Sequence, residues 1–60
     1  MENLYDLKQY VIDMSLAHPS LKEASLDYLQ LAVDEVDAGE SERNEVQLAV
    51  SSILELIEEI

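Results

Sequence analysis

The sequence predicts an all-α protein, a small antiparallel three-helix bundle. Three observations lead there. Proline and glycine occur once each, as Pro19 and Gly39, and they divide the 60 residues into three segments of similar length. Each segment repeats its apolar residues at the three- and four-residue spacings of a helix. Each also opens on a residue suited to cap a helix: Asn3, Ser20 or Ser41.

The first helix is expected over about residues 3–16. Leu4, Leu7, Val11 and Met14 form one stripe, and Asp6 lies in the first turn, where negative charge is favourable. Pro19 disfavours the α region at His18 and so ends this helix near Leu16 or Ala17. The second helix is expected over 20–38. Ser20 followed by Glu23 is the capping-box pattern. The apolar residues from Leu21 to Val36 cover an arc of roughly 220°, which suits a helix with two neighbours. Gly39 falls where a left-handed C′ residue belongs. The third helix is expected over 42–59, with Val46, Val50, Ile53, Ile57 and Ile60 in strict four-three alternation. Its end is poorly capped, because Glu58, Glu59 and the terminal carboxylate all oppose the macrodipole.

Short connections make the bundle antiparallel, with the second helix in the middle, and residues 1–60 form one domain. A chain this short buries only about 60 % of the surface its unfolded form exposes. Completion by a second copy is the competing architecture. Tyr5, Ile12 and Leu16 favour it, falling within about 40° of one another on the side of the first helix away from its main stripe. The heptad-like spacing of the third helix is also what a partner helix would read.

Charge narrows the function. Fourteen acids face three bases, for a net charge of -11, beyond the roughly 2–8 that suits a small soluble domain. Direct binding to nucleic acid or to an anionic membrane is not expected, since both need a basic patch. No run approaches the roughly 20 apolar residues of a membrane span, and a soluble cytoplasmic protein is the expectation. There is no cysteine, hence no disulfide framework and no thiolate zinc site.

The acids crowd into "DEVDAGESERNE", residues 34–45, where six of twelve residues are acidic. Asp34, Glu35 and Asp37 occupy the last turn of the second helix, where each is unfavourable by roughly 0.3–1 kcal/mol. Glu40 and Glu42 occupy the loop and the first turn of the third helix, where negative charge helps. Half of the cluster therefore obeys local helix chemistry and half breaks it, and local rules are most often broken where function intrudes.

Residues 24–45 contain three partial motifs. Counting a twelve-residue calcium loop from Asp34 places Gly39 at position six and Glu45 at twelve, but Val36 and Ala38 fall where ligands belong, so a metal site is not expected. "DEVD" before Ala38 resembles the cleavage motif of executioner caspases; at a helix end, cleavage is not expected. "ASLDYLQL", residues 24–31, resembles the Asp-Ser-Leu motif that opens the second helix of acyl carrier proteins. Here Ala24 stands in place of the Asp, and the long first loop and fourth helix of that family are missing.

Enzymatic chemistry and a cofactor are not expected. The one histidine, His18, sits beside Pro19, and the chain contains no glycine-rich loop and no HExxH-type pair. The expected function is that of a small acidic protein–protein interaction module, an inhibitor or regulator that docks on a basic surface of a partner protein. Asp34, Glu35, Asp37, Glu40, Glu42 and Glu45 would carry the contact, with Tyr5, Ile12 and Leu16 as an apolar one. Its extreme form is a nucleic-acid mimic of the phage or mobile-element type, carboxylates standing in for phosphates. The alternative is a structural or assembly protein acting through apolar, helix-mediated self-association.

Overall fold

The computed structural model describes residues 1–60, of which 85 % are helical, with no strand. Its three helices are α1 (Leu4–Ala17), α2 (Lys22–Asp37) and α3 (Glu42–Glu59). They pack against one another as a three-helix bundle of 33 × 18 × 18 Å. The middle helix, α2, packs against both others, as its wide apolar arc predicts, while α1 and α3 touch less.

Local chemistry sets most helix ends. Asn3 caps α1, its side-chain oxygen accepting from the Asp6 N–H at 2.8 Å. Ser41 caps α3 in the same way, accepting from the Asn44 N–H at 3.4 Å. Gly39, at φ +104°, closes α2 with a Schellman motif. In it the Gly39 N–H donates to the Val36 carbonyl and the Glu40 N–H to the Glu35 carbonyl, each at 3.0 Å.

The start of α2 differs from the expectation of a helix from residue 20 opened by a capping box. Residues Pro19–Leu21 form a 3₁₀ turn, and α2 begins at Lys22 with Leu21 at its N-cap and no side-chain cap. The reason lies in Pro19. Its fixed φ suits the first position of a tight turn, and the Leu21 N–H closes that turn on the His18 carbonyl at 2.9 Å. The Leu21 side chain, 9 % exposed, is tucked inward at this point. Burying Leu21 sets the chain's entry into α2, and the Ser20 hydroxyl is left out of it.

The core is Leu7 and Val11 of α1, Ala32 of α2, and Val46, Ala49 and Ile53 of α3. Leu7, Val46 and Ile53 are completely buried. Truncating such a Leu or Ile to Ala costs about 2–5 kcal/mol. Only eight residues are buried in all, so nearly every other side chain is available to the surface. No helix is long and apolar enough to cross a membrane.

Candidate functional site

Both short connections reverse the chain, so α1 and α3 run parallel and α2 runs against them. One end of the bundle therefore gathers the starts of α1 and α3 and the finish of α2, and the acidic bend forms this end. Two of the three helix termini here carry the positive end of a dipole. Much of the acid crowding answers that field. Glu42 shows it most directly: its Oε2 accepts from the Leu4 N–H at 2.8 Å. A carboxylate in the first turn of α3 thus satisfies an orphan donor in the first turn of α1, thirty-eight residues away.

The other acids divide by surroundings. Asp34 accepts from the Gln30 amide at 3.0 Å, within α2. Glu35 and Glu45 are half-buried, and Glu45 lines the groove between α2 and α3 with Tyr28, Leu31 and Leu48. Asp37 and Glu40 stand exposed. The bend's own cation, Arg43, reaches out of the cluster to Glu2 at 3.8 Å, with both side chains about two-thirds exposed. This is the one ion pair in the protein, and a pair so exposed contributes at most about 1 kcal/mol. Fourteen carboxylates therefore meet almost no intramolecular cation. No three acidic or histidine side chains converge in an arrangement able to hold a metal ion.

The apolar candidates on α1 lie elsewhere. Tyr5, Ile12 and Leu16 are 70 %, 43 % and 78 % exposed, on the outer side of the helix. Ile12 and Leu16 border a groove of about 290 Å³ between α1 and α2, with Val11, Ser15, Lys22 and Leu26 as its other walls. The bend and this groove are thus separate regions: the groove is lined by the second half of α1 and the start of α2, toward the other end of the bundle, and Tyr5, in the first turn of α1, is not one of its walls. The sequence reading missed Leu26 as part of this surface. Its place within the apolar arc of α2 reads as core, yet it is 43 % exposed.

Ser25, the serine of the carrier-like segment, is fully buried, and its hydroxyl finds no hydrogen-bond partner. The Tyr10 hydroxyl is likewise enclosed without one. A serine sealed in the α2 packing face presents no nucleophile or attachment point to a partner.

Fold and surface together define a class: an all-α three-helix bundle with an acidic end and an apolar interhelical groove. No protein-family model matches the chain, and no curated protein or solved structure matches it either. The functional reading rests on the residues themselves.

Proposed function

We propose that the protein is an interaction module that docks its acidic end on a basic surface of another protein, acting as an inhibitor or regulator. The observation carrying this reading is the excess of carboxylates left without cations: a single exposed ion pair serves the whole chain. Solubility alone is normally served by mixed signs and a smaller excess. Carboxylates held on helix ends can steer a cationic partner and set its register. Within the bend the acids divide into two roles. Glu42 is occupied in holding α1, whereas Asp34, Asp37 and Glu40 form an exposed edge that meets no cation of its own chain. A nucleic-acid mimic is the extreme form of this reading, with that edge taking the place of a phosphate row.

Two variants of equal net charge test it. One carries Asp34→Lys and Glu40→Lys in the bend. The other carries Asp13→Lys and Glu55→Lys, both exposed positions outside the bend. Capture from a lysate of the source cells should yield a protein held by wild type and by the second variant and lost from the first. That protein should also elute steeply as salt shrinks the Debye length from about 30 Å toward about 8 Å. Capture of the same proteins by both variants would end the docking role of the bend.

A further inference from the structure

We infer that the α1–α2 groove is the interface of a two-fold homodimer in which α2 packs antiparallel to α2 of the second copy. The first reason is charge. None of the fourteen acids lines this groove, although carboxylates cover most of the molecule. One of the three cations lines it, and a second shares the α1 stripe that borders it. Lys22 is one of its walls, and exposed Lys8 precedes Ile12 by one helical turn on the outer stripe of α1. Asp6 and Asp13 fall about 60–80° beyond Leu16, away from α2. Two copies each carrying a net charge of -11 meet with less repulsion through this face than through the acidic bend.

The second reason is self-complementarity. Lys22, Leu26, Val33 and Asp37 follow one another at spacings of four, seven and four, within about 60° of arc on α2. This stripe carries a cation at one end, a carboxylate at the other and apolar residues between. A two-fold axis crossing its middle brings Lys22 against Asp37 of the second copy, and Asp37 against the second Lys22. The same axis sets Tyr5 against Leu16 of the other copy. An isologous interface needs this pattern, because each contact is made twice.

A third reason is that Lys22 and Asp37 are each misplaced for an isolated helix. Lysine at the start of α2 and aspartate at its finish both oppose the macrodipole. An antiparallel partner helix reverses that situation, since each charge then faces its opposite and the two dipoles run head to tail. Area is sufficient as well. A standard interface takes about 800 Å² from each partner, roughly one-fifth of this chain's 4048 Å². One long side of a body 33 Å by 18 Å is of that order.

Sedimentation of the purified chain tests the inference apart from the docking role of the bend, because it reads self-association with no partner present and Leu16→Glu changes no acid of the bend. Wild type should sediment as a dimer at a concentration near 100 μM, which detects affinities of about 10 μM. Leu16→Glu, at a side chain 78 % exposed, should fold to full helicity and sediment as a monomer. Lys22→Asp and Asp37→Lys should each weaken the dimer by about tenfold or more, since each replaces two attractive pairs by two repulsive ones. The double swap should restore it to within about threefold of wild type. Both single changes also suit the helix dipole, so lost dimerisation would not reflect lost folding. A monomeric wild type, a dimer unmoved by Leu16→Glu, or a double swap no better than the single changes would overturn the assignment and leave the groove to some other partner.

Discussion

The two ends of the bundle are built differently. At the bend, every helix terminus is closed. Asn3 and Ser41 cap α1 and α3, Gly39 ends α2, and Glu42 ties the start of α1 to the start of α3. At the opposite end, α2 starts without a side-chain cap, and neither α1 nor α3 has a basic residue in its last turn. There Glu58 and Glu59 add negative charge to a helix terminus that is already negative. A carboxylate at the start of a helix, as Glu42 is at the bend, is thus a fastener, and one at a helix finish, as Glu58 and Glu59 are at the far end, is a liability. The difference comes from helix direction alone. The bend should therefore be the better-held end, and the last turn of α3 the first to open, which amide exchange would read.

The sharpest way to break this contrast is to spoil the turn that closes the bend. Gly39→Ala should destabilise the protein by about 1–2 kcal/mol, because a Cβ is strained in the left-handed region whatever the space around it. That space is in fact open, with nothing within 4 Å of the added atom, so the cost is purely one of backbone conformation. Thermal unfolding should shift down by about 4–15 °C. Gly39→Asn should lose less, since Asn tolerates this region better. Equal losses for Ala and Asn would mean that a side chain, not the backbone, is at issue.

Glu42 comes next. Glu42→Ala removes the acceptor that the Leu4 N–H uses and should cost about 1 kcal/mol, the usual worth of a capping interaction. Glu42→Gln keeps an acceptor oxygen and should cost less. Amide exchange distinguishes this long-range tie from a local effect on α3. It should quicken in the first turn of α1, around Leu4 to Leu7, although the substituted residue lies in α3. Exchange that quickens only around Glu42 itself would show that the two helix starts are not coupled.

These two positions also show what the sequence could and could not reveal. Gly39, Asn3 and Ser41 act through neighbours three to five residues away, so their roles are legible in a linear pattern. The α-helical class follows from the same short periods. The contact from Glu42 to Leu4 joins residues thirty-eight apart, and no local pattern encodes it. Ser20 shows the opposite failure: its capping pattern is present, but Pro19 and the burial of Leu21 lead the chain through a 3₁₀ turn. The acidic crowd was visible at once. Which acids are engaged and which are free was not, because that depends on two helix starts meeting in space. The exposed position of Leu26 was hidden for a similar reason, since an arc facing two neighbours has edges that only packing defines.

The smallest expected effect sharpens the contrast from the other side. Replacing Glu58 and Glu59 by Lys places cations on the last turn of α3, at the end where α1 also terminates without one. Each replacement should contribute about 0.3–1 kcal/mol at low salt, and high salt should erase the gain. Both side chains are exposed, so packing does not oppose the change. The gain should appear as slower amide exchange in the final turn of α3 and as a rise in melting temperature of a few degrees, by about 4–8 °C per kcal/mol. A matched pair of substitutions that puts Lys at Glu40 and Glu42 should act in the opposite direction, because the same charge there meets the starts of helices. If both pairs move stability the same way, the relief of general repulsion in so acidic a chain outweighs helix direction. The contrast between the two ends would then lie in net charge rather than in the architecture of the bundle.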